Sequence, residues 1–371
     1  MPEIYWVIFL VVAIIAFAIV FLYYFYFLLP FSFKLKDPQV ASTEALSVVI
    51  CARNEKERLL ENIPAILNQD YPDFQLVLVD DCSEDETWEV MKAFEQRDKR
   101  VKLVRVNEND QFYTSKKYAL TLGIKAADRD LIVFTDADCK PESEQWLKEL
   151  SSSATEGKNI VLAYGDYEPK VGILNSLIRF DTFLIASQYA SFARRGIVYM
   201  GVGRNMAYRK SMFLESKGFS KHQHIDSGDD DLFIGQIAKS HSTAVNMSAS
   251  AKTWSEPKQK LLSWIRQKGR HLTTFSHYKP KNMIFVGALS LAQALSFSLG
   301  IFLLFGPYYY ISAVLLALKG VILSISLYKL KQEHRIPGFV LIPLIWELML
   351  YALYPAFIIS SKVYKRGTWK I

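Results

Sequence analysis

The chain has 371 residues, with 51 % hydrophobic, 14 % aromatic and 22 % charged side chains. That mix excludes a disordered, collagen-like or coiled-coil chain, and three cysteines exclude a disulfide scaffold. The formal net charge of +7 does not mark a nucleic-acid binder, because the basic residues flank long uncharged stretches, where they face anionic lipid, and no nucleic-acid motif is present.

Residues 4 to 33 carry no charge. A spanning helix needs about 20 apolar residues. The stretch lacks the basic leader and small-residue cleavage site of a secretory signal, so it predicts an uncleaved membrane helix over residues 4–29. Tyr23, Tyr24, Phe25, Tyr26 and Phe27 form an interfacial belt near its end. Apolar runs follow at 46–50, 76–79, 101–106 and 131–134, separated by helical spacing over 55–68, 84–97 and 115–127. Strands alternating with helices predict an α/β domain with a mostly parallel sheet. Residues 172–195 predict a helix with a broad apolar face, suited to the core or to the membrane interface. Residues 257–282 predict a basic, aromatic helical segment resting on the bilayer.

Three further apolar runs close the chain: 283–305, 308–328 with only Lys319, and 338–361 with only Glu347. Lys34 and Lys36 after the first helix, and the Lys329–Arg335 loop, place the middle region on the cytoplasmic side of a multi-pass membrane protein. A third full C-terminal span would put Lys362, Lys365, Arg366 and Lys370 outside, against that rule. The last run is therefore either re-entrant or interfacial, or an exception. The expected division is a membrane helix at 1–33, a cytoplasmic domain at 34–282 and a membrane region of two to three spans at 283–371.

In parallel sheets ligands bind beyond the C-terminal strand ends. Here those ends are polar and acidic: Cys51-Ala52-Arg53-Asn54-Glu55, then Asp80-Asp81, then Asp136-Ala137-Asp138. Any one Asp pair reads as a helix cap, and Asp81 suits a helix starting near Glu84. Three such sites on one edge point instead to a divalent cation and a polar ligand. Cys51, Cys82 and Cys139 lack CxxC spacing and read as small fillers, not zinc ligands. His222 and His224 read as surface or loop residues.

These segments carry a resemblance. VVICARNE at 48–55, LVLVDDCSEDET at 76–87, SKKYAL at 115–120, FTDADC at 134–139, GVGRNMAYRK at 201–210, SGDDDLF at 227–233 and QKGRH at 267–271 occur in the order of family 2 glycosyltransferases of the GT-A fold. The middle region resembles that family over roughly residues 46–281. The resemblance implies a nucleotide-diphosphate sugar donor. It implies that Asp136 and Asp138 hold Mg²⁺ or Mn²⁺ against the diphosphate. It implies that Ala52, Glu55, Asp80 and Asp81 line the nucleotide pocket, with help from Lys116 or Lys117. The family pattern Glu-Asp-x-Asp-Leu, aligned on Leu232, puts the general base at Asp229. It places Gly228 where the family often has Glu, which leaves Asp230 as a second candidate base. Gln267, Arg270 and His271 fall in the synthases' QxxRW motif, where Arg suits the diphosphate. His271 replaces the tryptophan, for which Trp264 or Trp254 are conceivable substitutes.

The implied activity is an inverting, metal-assisted transfer to a lipid-linked or glycan acceptor, with membrane lipid as a further partner. A processive polysaccharide synthase is the alternative, favoured by QKGRH and disfavoured by the few spans. A catalytically silent scaffold or nucleotide-sugar sensor would have no need of the metal pair and the base. A nucleotidyltransferase would carry a glycine-rich phosphate loop, and residues 50–58 contain no glycine.

Overall fold

The computed structural model describes residues 3–34, 36–37, 40–106, 116–239, 241–334 and 343–364. Ser115, Arg335, Lys365, Arg366 and Lys370 of the readings above lie outside them. The four expected strands are present as β1 Leu46–Ala52, β2 Phe74–Asp80, β3 Val101–Arg105 and β4 Leu131–Phe134. They alternate with the helices Lys56–Leu67, Thr87–Arg97 and Lys116–Ala126. β1, β2 and β4 are buried almost throughout, which is why they read as continuous apolar runs and not as alternating ones.

Six short strands were not foreseen: β5 Cys139–Pro141, β6 Ile160–Ala163, β7 Gly165–Tyr167, β8 Met206–Arg209, β9 Thr243–Asn246 and β10 Thr253–Ser255. Runs this short carry too few residues for a period to register. The main sheet has the order β3-β2-β1-β4-β8-β6-β9, and β8 alone runs antiparallel to its neighbours. A small sheet, β5-β10-β7, sets Ser255 opposite Cys139.

The pleat of β1 divides the core. Val48 and Ile50 pack with Leu59, Ile63 and Trp146 on one face. Val49 packs with Ala119, Ile124 and Ile178 on the other. That second core runs on through the helix Ile173–Arg194 to Tyr23, Tyr24 and Phe357 of the membrane helices. The helix thus belongs to the core and packs against the long apolar helices. Its Arg179 pairs with Asp166 at 2.8 Å, both buried, while Phe192 packs on Phe27 with ring centroids 4.7 Å apart.

Among the described residues, four helices are long and apolar enough to cross a membrane: Glu3–Ser32, Pro280–Leu303, Tyr309–Lys329 and Pro343–Val363. Trp6 stacks on Phe302, while Phe27 meets Phe285, so the first two run antiparallel. Ser312 donates to the Gly300 carbonyl, and Lys329 lies 5.5 Å from the Phe33 ring. Phe33, Pro280 and Lys329 therefore gather at the end beside the sheet.

The fourth helix packs differently. Leu344 abuts Gly320 in the middle of the third helix. Phe357 packs on Trp264, and Ser360 presses on Gly269 of the helix Leu261–Leu272. Lys362 accordingly stands on the sheet side.

Candidate active site

Chain order reverses between β1 and β4: the chain goes from β1 outward to β2 and β3, then returns to β4 on the other side. Such a switch point opens a crevice at the C-terminal strand ends. The loops after β1 and β2 are fastened together there. Asn54 N donates to Ser83 Oγ at 3.1 Å, Glu84 N to Asn54 Oδ1 at 2.8 Å, and Asp81 N to the Ala52 carbonyl at 2.9 Å. Asn54 and Cys82 take the left-handed conformation at φ 55° and 54°, which Asn tolerates better than most residues.

Asp80 is fully buried, faces Arg105 at 3.4 Å and accepts from Ser83 N at 3.2 Å. It organises the turn. Asp81 does not cap a helix: the helix starts at Thr87, whose N–H donates to Asp85 at 3.0 Å. One Asp81 carboxylate oxygen has no hydrogen-bond partner, and burial lifts the acid above its usual range against the pull of Arg53. Glu55, 3.3 Å from Arg58, is pushed up to about 7 by burial and by Asp138.

The turn after β4 gathers oxygen donors. Asp136, Asp138 and the Cys139 thiol offer ligand atoms within 4.8 Å of one another. Ser255 Oγ donates to Asp138 at 2.8 Å, and Asn62 Nδ2 to the Ala137 carbonyl at 2.9 Å. The carboxylate pair fits a hard divalent cation. Burial keeps the Cys139 thiol protonated, consistent with a filler.

Lys116 Nζ lies 2.7 Å from Asp136 and 3.4 Å from Asp229. Burial alone would discharge it, but the two carboxylates outweigh that and hold it protonated. It thus sits between the Asp136 carboxylate and the acidic motif. Lys117 turns the other way. Its ammonium donates to the carbonyls of His222, Ile225 and Ser227 at 2.7, 2.8 and 2.8 Å, caging the loop before Asp229.

The three adjacent acids separate by role. Asp231 accepts from Leu232 N at 2.7 Å, Tyr278 OH at 3.0 Å and the Thr274 hydroxyl. Asp230 caps the helix Asp231–Ile237, accepting from Asp231 N at 2.8 Å and Gly203 N at 2.9 Å. Burial and the charges of Asp229 and Asp231 push Asp230 up to about 7. Asp229 lines the cleft with Lys116, Asp136, Cys51 and Thr135. Burial works to raise its pKa, but Lys116, Lys117 and Arg270 prevail and hold it below the usual range. Gly228 adopts φ 95°, and a Cβ there would strike Leu232. A Glu at this position would be strained in this backbone conformation.

On the helix Leu261–Leu272, Gln267 donates to the Tyr167 hydroxyl at 3.2 Å, and Arg270 lies near Asp229. His271 is solvent-exposed. Trp264 is 1 % exposed against Phe357 and presents no free stacking face in place of the missing tryptophan, while Trp254 is half-buried with Lys252 3.7 Å from its ring centre. His222, expected at the surface, is buried against Phe219, and burial and Lys117 push it down to about 4. Sequence reasoning missed Arg204. Its guanidinium stacks 4.2 Å from the Tyr167 ring centre, and its Nη1 has no hydrogen-bond partner. The signal was its place in GVGRN beside Asn205, a buried anchor that accepts from Trp146 Nε1 at 3.0 Å.

Residues 47–216 match the family model described as Glycosyl transferase family 2. This segment is a glycosyl transferase family 2 domain. Glycosyltransferase AglE of Haloferax volcanii is 27 % identical over 157 residues, 41 % of this chain and 49 % of that protein. The undecaprenyl-phosphate 4-deoxy-4-formamido-L-arabinose transferase of Photorhabdus laumondii is 32 % identical over 120 residues, covering 31 % of this chain and 35 % of that one. The chain's matches span less than half the length of these curated relatives. The mannosyltransferase PcManGT from Pyrobaculum calidifontis, solved with GDP-Man and Mn2+, shares the fold: TM-score 0.63 at 18 % identity, covering 96 % of this chain and 99 % of that one. The glycosyl transferase domain is thus a GT-A-type α/β fold flanked by helices apolar enough for a membrane.

Proposed function

We propose that the protein is a membrane-bound, inverting glycosyltransferase that moves a sugar from a nucleotide-diphosphate donor to a lipid-linked acceptor at the cytoplasmic face of the inner membrane. The observation that carries this reading is the cleft itself. Asp136 and Asp229 both lie close to Lys116, and Asp138 is clustered with Asp136, which supports a cation site beside a base. The GDP-Man and Mn2+ in the structural neighbour support the classes of donor and metal, and the undecaprenyl-phosphate in one relative's name supports a lipid-borne acceptor.

In this reading Asp136 and Asp138 hold Mg²⁺ or Mn²⁺, which supplies charge neutralisation for the departing diphosphate. Ala52, Glu55, Asp80 and Asp81 form the nucleotide end. Arg204 and Arg270 offer guanidinium groups to the diphosphate, with Gln267 fixing Tyr167 beneath Arg204. Asp229, ionised at neutral pH, accepts the proton of the attacking acceptor hydroxyl from the side opposite the leaving group. Asp230 holds the backbone that aims it. The helix Pro343–Val363 runs from beside Gly320 in the third helix to Gly269 on the sheet side, which supports a cytoplasmic Lys362.

Nucleotide diphosphate release by purified protein tests this, across UDP-, GDP- and dTDP-sugars with Mn²⁺ or Mg²⁺ and membrane lipid extract. Release with one donor, lost in Asp229→Asn and Asp138→Ala, is expected. No release with any donor refutes it.

A further inference from the structure

Seven large apolar side chains are exposed among the described residues between 34 and 279, and four of them sit on two neighbouring segments: Val171 and Ile173, and Leu261 and Leu262. Apolar residues exposed singly are ordinary, but a cluster marks a surface that something covers. The two segments are joined: Lys170 Nζ lies 3.0 Å from Glu256, and Glu168 N donates to the Ser255 carbonyl at 2.9 Å. The tip of the first is held in place. Buried Asn175 accepts from Lys170 N at 2.8 Å and donates to the Glu168 carbonyl at 3.0 Å, and Gly172 adopts φ 129°, a conformation open to glycine. This leaves Val171 fully exposed.

Two observations name the partner. The first is position. The helix Ile173–Arg194 lies across the long apolar helices, with Phe192 against Phe27 and Phe285 and Phe180 against Trp346, so its first turns project past the fourth of them. The helix Leu261–Leu272 runs beside that same fourth helix, with Trp264 on Phe357 and Gly269 at Ser360, and turns Leu261, Leu262 and Arg266 outward. Both segments thus emerge beside a helix apolar enough for a bilayer. The second observation is charge. Lys258, Lys260 and Arg266 are exposed and form no ion pair among the described residues, whereas Glu168 and Glu256 are both engaged by Lys170. Apolar side chains flanked by unneutralised bases fit an anionic lipid surface. A second copy of the chain would bring the same three bases to the contact.

We propose that these four apolar side chains form a wedge that inserts at the headgroup–acyl boundary of an anionic bilayer, with Lys258, Lys260 and Arg266 facing lipid phosphates. The wedge carries the membrane contact beyond the four long helices to the rim of the cleft. Ser255, at the root of the second segment, donates to Asp138, and Tyr167, at the root of the first, accepts from Gln267. That the wedge presents the cleft to a lipid-borne acceptor rests on the proposed function; the insertion itself does not.

The test uses full-length protein in nanodiscs of phosphatidylcholine, with or without phosphatidylglycerol, and an environment-sensitive fluorophore on Val171→Cys. Leu60→Cys, exposed on a helix of the opposite core face, is the control, and labelled wild type gives the background of Cys51, Cys82 and Cys139. Lipid brominated near the carbonyl end of its acyl chains is expected to quench the label at 171 and not at 60, and more strongly with phosphatidylglycerol present. Each base near an anionic surface is worth about fivefold in binding, so Lys258→Gln with Lys260→Gln and Arg266→Gln is expected to abolish the gain from phosphatidylglycerol. No quenching at 171, equal quenching at 60, or quenching indifferent to phosphatidylglycerol or to the triple variant overturns the proposal. A blue-shifted label that brominated lipid leaves unquenched would mean that protein covers the surface, and overturns it too. Quenching in a protein that releases no nucleotide upholds the surface and refutes only the transfer reading.

Discussion

Lys117→Met tests the positioning of Asp229 without touching the cleft. The wild-type ammonium, 2 % exposed, donates to three carbonyls of the 222–227 loop at 2.7 to 2.8 Å. Methionine fills similar space but strands those acceptors, and each buried acceptor left unmade costs about 1–3 kcal/mol. Part is offset because the lysine was itself costly to bury, as its lowered pKa reflects. The net loss expected is about 3 kcal/mol, a fall in melting temperature of roughly 6–12 °C for a domain of this size. The freed loop leads directly into Asp229, and misplacing a catalytic group by about 1 Å costs on the order of 100-fold. kcat for nucleotide release should fall about 10- to 100-fold with donor KM nearly unchanged, because the loops after β1 and β4 stay intact. Thermal unfolding in detergent and steady-state nucleotide release read both effects. A variant within about 2 °C and twofold of wild type, well under those magnitudes, refutes the reasoning.

Asp230 makes a pH prediction. Its folded pKa of about 7 lies above the unfolded range, so the folded state holds a proton that the unfolded state has lost. Its contribution to stability is fully present below the unfolded pKa near 4 and declines as pH rises through about 7. Between pH 6 and 8 wild type should lose about 1 kcal/mol from this group, and Asp230→Asn should flatten that slope in denaturant titrations at the two pH values. Gly228→Ala should destabilise by about 1–3 kcal/mol and depress nucleotide release, since φ 95° and Leu232 leave no room for a Cβ; an unchanged melting temperature would contradict this. Chelation by EDTA should abolish nucleotide release, and Mn²⁺ or Mg²⁺ should restore it. Ser255→Ala, which unties Asp138, should raise the Mn²⁺ concentration for half-maximal release about 3- to 10-fold, the effect of losing one orienting hydrogen bond; an unaltered metal titration would show that Ser255 does not position Asp138.

The four long strands, their helices and the acidic strand ends were legible in the sequence, because hydrophobic period and run length are local properties. The order of the motifs carried the family. What local pattern did not decide was partnership. Asp229, Asp230 and Asp231 are adjacent and chemically identical, yet Thr274 and Tyr278 claim Asp231, and Gly203 N together with a helix start claims Asp230. Lys116 and Lys117 are neighbours on one helix, and the turn of roughly 100° between them sends one to the cleft and the other to a loop more than a hundred residues away. Arg204 gained significance only when the small sheet set Tyr167 beneath it. The last apolar run was long enough to cross a membrane by composition, but its direction depended on Gly320 at one end and Gly269 at the other. The sequence by itself determined which elements form and which chemistry is available. Only the tertiary structure decided which carboxylate faces the cleft and which lysine holds it, because those outcomes are set by contacts between residues far apart in the chain.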